Sequence, residues 1–271
     1  MSFLNIEHVG KDFPNREGGR LPVCVLDDVS LNIERGEFLT VVGHSGCGKS
    51  TLLNILAGFE KATRGKVVLD GNPVAGPGLD RMVVFQNFAL LPWMSAFENV
   101  RISVQAAFPN WERTKIRVHT EKYFHLMGLA SAENKRPAHL SGGMRQRVGL
   151  ARAFAVEPKI LLLDEPFAQI DALTRGSIQE QLMKLWAETH QTIFLVTHDV
   201  DEAILLSDRI VLMTNGPKAR VAETIPVEIP RPRLRTEMID MPEYTRLRSK
   251  VLHFLMEHAS VREPNGKLVS A

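Results

Sequence analysis

The segment from Gly43 to Thr51 has the residue types and spacing of a loop that binds phosphate groups. Its sequence, GHSGCGKST, fits the pattern G-x-x-x-x-G-K-[ST]. Glycines let successive backbone N–H groups converge on an anion, and the start of a following helix adds partial positive charge. Lys49 can reach the β- and γ-phosphates of a nucleotide, and the Ser50 hydroxyl can bind Mg²⁺. The alternative is a plain glycine turn before a helix. We expect Cys47 to be passive, although a helix start can also favour a reactive thiolate.

Two acidic residues after an apolar run could supply metal binding and acid–base chemistry. Ile160–Leu163 is followed directly by Asp164 and Glu165. An aspartate at the carboxyl edge of a strand can hold Mg²⁺ through water. Strand alternation would turn Glu165 away from Asp164, where it could polarise an attacking water. A strand that ends in solvated acids is the alternative, and the phosphate loop in the same chain favours the functional interpretation.

A second glycine signal lies at Ser141-Gly142-Gly143, just before a helical pattern. Ser141 is a good N-cap, and the two glycines leave backbone N–H groups uncovered at the helix start. A glycine-based cap is the alternative interpretation. One nucleotide cannot easily touch both glycine sites within a monomer if the second site lies on a separate helical insert. Two copies arranged head to tail would let each nucleotide contact both.

The elements that must position these residues alternate along the chain. Short apolar runs alternate with helical patterns, which favours an α/β fold with a largely parallel sheet and helices on its faces. A strand precedes the phosphate loop and an apolar helix, Thr51–Ala57, follows it, as the loop requires. The predicted strands are Phe38–Val42, Val67–Leu69, Met82–Gln86, Ile160–Asp164, Thr192–Thr197 and Arg209–Met213.

Two regions depart from this alternation. Residues from about 91 to 156 contain no convincing strand, and the spacing of Ile116, Tyr123 and Met127 predicts a helical insert between two sheet strands. Prolines after residue 225 mark a linker, and Glu243–His258 then has the spacing of an amphipathic helix. We expect this helix to dock on the chain's own core, with a partner contact as the alternative. We expect the late basic residues to form a solvated surface: Arg231, Arg233, Arg235, Arg246, Arg248 and Lys250.

Composition excludes several classes of protein. The chain has 271 residues, 44% of them hydrophobic and 24% charged, which is typical of one or two globular domains. Its two cysteines exclude a disulfide framework and a four-cysteine zinc site, and they fit a reducing cytosol. A net charge of +2 is too small to indicate nucleic-acid binding. We find neither a membrane-spanning apolar run nor a signal peptide.

In this order the motifs resemble those of the ATP-binding cassette (ABC) ATPase family, over about residues 3–225. The phosphate loop resembles the family's Walker A motif, and Asp164-Glu165 resembles Walker B. Leu140–Met144 resembles the family signature, with Met144 where glutamine is usual. The resemblance implies an α/β P-loop NTPase: a RecA-like core with an antiparallel β part, and a helical subdomain at about 91–156. The implied ABC ATPase domain spans 1–230, and a C-terminal linker and amphipathic helix span 231–271.

The resemblance also assigns roles. Gln86 matches the Q-loop, Asp171 the D-loop and His198 the switch histidine, and Phe13 lies where an aromatic residue stacks on adenine. Glu165 as general base and His198 as a γ-phosphate ligand are the implied catalytic residues. Mg²⁺ is implied at Ser50, Gln86 and Asp164. The implied ATP-binding residues are Phe13, Gly43, His44, Ser45, Gly46, Cys47, Gly48, Lys49, Ser50, Thr51, Gln86, Ser141, Gly142, Gly143 and Asp171.

A finer resemblance is to importer ATPases for nitrate, bicarbonate, cyanate, taurine and alkanesulfonates. It rests on His44–Thr51, Gly78–Asn87, Leu90–Trp93 and the Arg-Pro-Arg tail, and residues 82–87 look most similar to the nitrate and bicarbonate branch. The implied partners are a second ATPase subunit, identical or paralogous and arranged head to tail, and integral membrane permease subunits. An extracytoplasmic solute-binding protein would act through the permease, and no nucleic acid is implied. The implied location is peripheral, on the cytoplasmic face of the inner membrane.

Within that resemblance, the loop from Gln86 to Trp93 and the helical insert are expected to form a groove for a permease helix. Trp93 and Phe97 would be apolar contacts there, or would fill the insert's own core. The alternatives are an importer ATPase for taurine or alkanesulfonates, a soluble non-transport ABC ATPase, a P-loop kinase or GTPase, and a regulatory nucleotide sensor. A kinase or GTPase would leave Ser141-Gly142-Gly143 and His198 unexplained.

Overall fold

The computed structural model describes residues 2–15 and 21–258. Within them the strands are β1 (Leu4–Phe13), β2 (Val23–Ile33), β3 (Phe38–Val42), β4 (Arg64–Leu69), β5 (Asn72–Pro73), β6 (Arg81–Val84), β7 (Ile160–Asp164), β8 (Thr192–Thr197), β9 (Arg209–Met213) and β10 (Val221–Pro226). The helices are α1 (Lys49–Ala57), α2 (Ala96–Ala107), α3 (Arg113–Leu126), α4 (Gly142–Ala155), α5 (Ala172–Thr189), α6 (Val200–Leu206), α7 (Arg235–Met238) and α8 (Pro242–His258).

The chain divides into two compact units. The first comprises Met1–Pro77 and Phe194–Ala271, and the second comprises Gly78–Ile193. The domain boundary at residue 230 that the resemblance implies remains a prediction. None of the helices within residues 2–15 and 21–258 has both the length and the hydropathy that a membrane span requires.

The first unit contains an antiparallel sheet that the apolar runs did not reveal. Its strand order is β2-β1-β4-β5. The register between β1 and β2 shifts three times, and His8 and Asp28 have positive φ angles. These irregularities break the period-two alternation by which half-buried strands are recognised, which explains why β1 and β2 were not predicted.

A second group of strands in the first unit carries the phosphate loop. Here β3 lies between β9 and β8, pairing in parallel with β9, and β10 pairs antiparallel with β9. Every residue of β3 and of β8 is buried, as expected for strands covered on both faces. The phosphate loop and His198 therefore follow the ends of neighbouring strands.

The second unit combines a parallel strand pair with helices. Strand β6 pairs in parallel with β7, from Arg81 opposite Ile160 to Val84 opposite Leu163. Between these strands the chain forms α2, α3 and α4, and residues 91–156 contain no strand, so the predicted helical insert is confirmed. Its core includes an edge-to-face contact between Phe97 and Phe124, with ring centroids 5.5 Å apart.

The predicted strands agree closely with the structure, with one correction of consequence. Four of them, β3, β7, β8 and β9, have the predicted bounds, and β4 begins three residues earlier than predicted, at Arg64. The strand predicted at Met82–Gln86 ends at Val84, so Gln86 lies in the following loop. Its side chain is exposed there, and it is not part of a buried strand.

Candidate nucleotide-binding site

The phosphate loop is built where β3 ends and α1 begins. Gly46 and Gly48 have φ angles of +78° and +96°, in the left-handed region that glycine adopts without strain. Gly48 is the N-cap of α1. Glycine has no side chain, so the N-cap position does not supply the oxygen that usually caps a helix start. The helix starts at Lys49, two residues before the predicted start.

Lys49 is held inside the loop. Its side chain is only 5% exposed, and its Nζ donates to the carbonyl oxygens of Gly43 at 2.7 Å and His44 at 2.8 Å. The ammonium group therefore organises the loop from within. A phosphate bound at this loop would meet a positive charge whose position is already fixed.

Cys47 is a buried residue of this loop. Its Sγ lies 3.9 Å from Lys49 Nζ. Burial raises the pKa of the Cys47 thiol above its ordinary value, and the nearby Lys49 ammonium only partly opposes that effect. The thiol therefore stays protonated at neutral pH, which supports the passive interpretation.

His198 lies in a turn fixed by its neighbours. The N–H of Asp199 donates to Thr197 Oγ1 at 3.1 Å, and Thr197 Oγ1 donates to Glu202 Oε2 at 2.5 Å. The Asp199 carboxylate caps α6 by accepting from the Glu202 N–H at 3.0 Å. Glu202 is buried, whereas the His198 side chain is exposed. The motif pointed to the histidine but not to the Thr197–Glu202 hydrogen bond that shapes its turn.

Phe13 is the last residue of β1 and is half-buried. The Nζ of Lys11 lies 4.7 Å from the centre of its ring, a cation–π contact. Adenine stacking on this ring remains a prediction.

In the second unit, Asp164 ends β7 and Glu165 leaves the strand geometry. Glu165 has a φ angle of +44°, so the strand alternation that would turn it away from Asp164 does not extend to it. A non-glycine residue in this region costs about 1 kcal/mol or more. The turn after it leads to Asp171, whose carboxylate caps α5 by accepting from the Thr174 N–H at 3.0 Å. This hydrogen bond lowers the pKa of Asp171 below its ordinary value.

The Ser141-Gly142-Gly143 segment is a capped helix start. Ser141 Oγ accepts from the Met144 N–H at 3.2 Å, which confirms the predicted N-cap. A Cβ on Gly143 would lie 2.3 Å from Thr174 Cγ2, so this glycine allows α4 to approach α5 closely. Gly142 has no such close neighbour, since a Cβ there would meet only the Gln169 carbonyl, at 3.7 Å.

The loop after Gln86 is fixed by an arginine that sequence reasoning missed. Phe88 and Ala89 have positive φ angles, and Arg152 donates to the carbonyl oxygens of Ala89 at 2.8 Å and Phe88 at 3.3 Å. Burial lowers the pKa of the Arg152 guanidinium. Further along, Phe97 is buried in the helical core, but Trp93 is 65% exposed. The two aromatic residues therefore differ in their surroundings: Phe97 packs in the helical core, whereas Trp93 lies on the surface.

The late basic residues do not all form the solvated surface that we expected. Arg233 donates to the carbonyl oxygens of Ile204 at 2.8 Å and Ser207 at 2.6 Å. Arg231 donates to the Leu206 carbonyl oxygen at 2.6 Å and to Asp208. Cations favour the carboxyl end of a helix, and these two arginines occupy the end of α6. Burial lowers the pKa of Arg233 to about 10.

These features together define a P-loop NTPase, and comparison with known proteins narrows the class. Residues 26–168 match the ABC transporter family, and the chain belongs to that family. It is 48% identical over 253 residues to the nitrate import ATP-binding protein NrtD of Synechococcus elongatus, covering 93% of this chain and 91% of NrtD.

Two further comparisons bear on the fold and on the length of the chain. The chain is 47% identical over 268 residues to the bicarbonate transport ATP-binding protein CmpC of the same organism, covering 99% of this chain but only 40% of CmpC. A dimeric structure of the ATP-binding cassette MJ0796 in a post-hydrolysis state, bound to ADP and Pi, superposes with a TM-score of 0.73 at 31% identity. The superposition covers 83% of this chain and 99% of the MJ0796 chain. The fold is therefore that of an ABC ATPase.

Proposed function

We propose that the chain is the ATP-binding and ATP-hydrolysing subunit of an importer for nitrate or a related small anion. The phosphate loop carries the ATPase part of the proposal, because it combines positive-φ glycines, a helix start whose N-cap is glycine and a fixed lysine ammonium. The similarity to NrtD over nearly the full length of both chains supports nitrate as the first solute to test.

In this proposal the phosphate loop binds the β- and γ-phosphates of ATP, with Lys49 as the main charged ligand. Backbone N–H groups would contribute most of the remaining contacts, since the loop side chains are small or turned into the protein. Phe13 would stack on the adenine. The residues proposed to bind the phosphates are Gly43, His44, Ser45, Gly46, Cys47, Gly48, Lys49, Ser50 and Thr51.

We assign Mg²⁺ to Ser50, Gln86 and Asp164. A hydroxyl, an amide oxygen and a carboxylate are the hard oxygen ligands that Mg²⁺ prefers, so the donor set fits the ion. The ion, when bound, would offset charge on the β- and γ-phosphates. Glu165 would orient the attacking water and accept its proton, and His198 would donate a hydrogen bond to the γ-phosphate. The strained backbone at Glu165 supports this role, because such strain concentrates at functional sites.

The second glycine segment is assigned to a partner chain. A second ATPase subunit, identical or paralogous, would lie head to tail with this one. Ser141, Gly142 and Gly143 of one subunit would then face the ATP held by the phosphate loop of the other, with Asp171 close to the same interface. The dimeric state of MJ0796 bound to ADP and Pi supports the dimer, and the head-to-tail arrangement is our proposal.

Transport requires membrane subunits, which we propose as integral permease partners. The chain would lie peripherally on the cytoplasmic face of the membrane, and an extracytoplasmic solute-binding protein would act through the permease. The exposed Trp93 and the Gln86 loop are the proposed permease contacts. If Trp93→Ala leaves permease copurification and transport-coupled ATPase activity unchanged, this docking assignment fails.

Solute uptake in a strain that lacks the chain tests the proposal. The strain is complemented with wild type, Glu165→Gln, or the matched control Glu180→Gln on α5, and offered nitrate, nitrite, bicarbonate, cyanate, taurine or an alkanesulfonate. We expect nitrate or bicarbonate uptake to be restored by wild type and Glu180→Gln only. Glu165→Gln is expected to lower ATP turnover by about a hundredfold or more, the usual scale for losing acid–base help. Phosphate release by Glu165→Gln within about threefold of wild type would exclude the proposed role of Glu165.

A further inference from the structure

The residues after β10 contact α6, the helix that follows His198, at both of its ends. Arg231 and Arg233 bind carbonyl oxygens at the end of α6, as described above. At the other end, Asp201 lies in the first turn of α6. Tyr244 Oη and Arg248 Nε, both on α8, each donate to Asp201 Oδ1 at 2.7 Å. We call these four residues, Arg231, Arg233, Tyr244 and Arg248, the C-terminal clamp.

Packing supports the polar contacts. Tyr244, Leu247 and Val251 form the buried stripe of α8, at the spacing of one helix face, which confirms that the predicted amphipathic helix docks on its own chain. Its main helical neighbour is α6. Burial and the Asp201 carboxylate raise the pKa of Tyr244 to about 12, so its hydroxyl remains a hydrogen-bond donor at neutral pH.

The far end of α8 reaches the phosphate loop. The imidazole Nε2 of His44 lies 2.7 Å from the carbonyl oxygen of Leu255, and because a carbonyl can only accept, His44 donates. The Asn215 side-chain amide also donates to α8, at the His258 carbonyl oxygen. One helix thus contacts both the loop proposed to bind the phosphates and the helix that follows the proposed γ-phosphate ligand.

We propose that the C-terminal clamp and α8 form a positioning device that couples the phosphate loop to the His198 turn. Tyr244 and Arg248 act through Asp201 and α6 on the placement of His198, and His44 links the same helix to the phosphate loop. This inference rests on the proposed ATPase function. A merely structural α8 would stabilise the fold without changing turnover separately from ATP affinity.

The first test is the double variant Tyr244→Phe/Arg248→Gln, which removes both hydrogen bonds to Asp201 and keeps most of the side-chain volume. The matched control is Lys250→Gln, which removes an ion pair of α8 with Glu223 on β10 at similar exposure. We expect the double variant to lower kcat for ATP hydrolysis by about fivefold or more, the lower end of typical coupling between sites. KM for ATP should match that of the control, and Arg248→Lys should retain most of the activity. Equal kcat in the double variant and the control would overturn the proposal.

The second test needs no variant. The phosphate loop is linked to α8 by the His44–Leu255 hydrogen bond, which the double variant leaves in place. Because binding is reciprocal, a nucleotide held by this loop must also stabilise that end of α8. We expect Mg²⁺ with a non-hydrolysable ATP analogue to slow backbone hydrogen exchange in residues 247–258 as well as in 43–51. Protection of 43–51 with no change in 247–258 would overturn the coupling while leaving ATP binding intact. No protection of 43–51 would instead count against the proposed function itself.

Discussion

Helices α1 and α4 both begin at glycine-rich segments, but the glycines have a different structural role in each. Before α1, Gly46 and Gly48 provide positive φ angles, and Gly48 is the N-cap of the helix. Before α4, Ser141 caps the helix, and Gly143 has the ordinary helical conformation but leaves no room for a Cβ beside Thr174. The first segment needs glycine for its backbone, and the second needs it for packing.

The two helix starts therefore differ in how each could bind an anion. The α1 start combines a glycine N-cap with a lysine ammonium inside the loop, so it is built to hold charge. The α4 start has one N–H satisfied by Ser141, and the cation nearest to it, Arg145, donates to the Leu140 carbonyl oxygen at 2.7 Å. In the proposed dimer, the segment before α1 binds ATP strongly. The segment before α4 contacts the ATP that is bound by the partner subunit.

The largest effect is expected from Lys49→Ala. Removing the ammonium takes away the charged ligand and its hydrogen bond to the Gly43 carbonyl oxygen, while the His44 carbonyl oxygen keeps the Cys47 N–H as a donor. We expect ATP affinity to fall by about a hundredfold or more, because the variant loses both the hydrogen bonds and the charge attraction between the ammonium group and the phosphates. Equilibrium binding of a fluorescent ATP analogue measures this, with Lys66→Ala on the exposed part of β4 as the control. Unchanged affinity would show that the first segment does not hold phosphate.

Gly48→Ala should destabilise the fold by about 2 kcal/mol or more. An alanine at a φ of +96° costs about 1–2 kcal/mol, and its Cβ would also lie 2.8 Å from Leu26 Cδ2. Urea unfolding measures the loss. Because the larger cost is in the backbone, Gly48→Ala should still destabilise the protein by about 1 kcal/mol or more when it is measured in a Leu26→Ala background, where the close contact is absent. A cost near zero in that background would contradict a conformational role for Gly48.

Gly143→Ala should cost about 1–2 kcal/mol, the usual range of overpacking. Here the obstacle is a single methyl group, Thr174 Cγ2, at 2.3 Å from the added Cβ. Thr174→Ser removes that methyl group, so Gly143→Ala/Thr174→Ser should recover most of the loss in the same unfolding measurement. If the double variant does not regain stability, Gly143 would be needed for its backbone conformation, and the two glycine segments would not differ in this respect.

The smallest effect is expected at the serine cap. Ser141→Ala should cost about 1 kcal/mol, whereas Ser141→Asp keeps a capping oxygen and should be close to wild type in stability. If Ser141 also faces the γ-phosphate of a partner's ATP, the aspartate will repel it, and ATPase activity should fall in both variants. Full ATPase activity in Ser141→Asp would restrict Ser141 to its structural role.

Much of the fold and of the site could be read from the sequence because buried strands and glycine motifs leave local signals. Strands β3, β7, β8 and β9 are nearly continuous apolar runs, and their bounds were predicted correctly. Strands β1 and β2 escaped because positive-φ residues and register shifts interrupt their alternation. The positive φ of Glu165 could not be foreseen either, since strand alternation describes only regular strands.

Long-range partners were the other gap. Arg231 and Arg233 stand in a basic stretch that was expected to be solvated, yet both are half-buried and bind carbonyl oxygens at the end of α6. The hydrogen bonds from Arg152 to the carbonyl oxygens of Phe88 and Ala89 were not predicted from the sequence either. These contacts join residues far apart in the chain, and no local pattern encodes them.

The most direct measurement is the molecular mass of Glu165→Gln in solution with saturating Mg²⁺ and ATP. Light scattering should give twice the 30.3 kDa chain mass with ATP and the monomer mass without it. Ser141→Arg in the same background should return the ATP-bound protein to the monomer, because it obstructs the segment that meets the partner's nucleotide. A Glu165→Gln protein that binds ATP and stays monomeric would contradict the head-to-tail site, and the two glycine segments would then serve unrelated purposes.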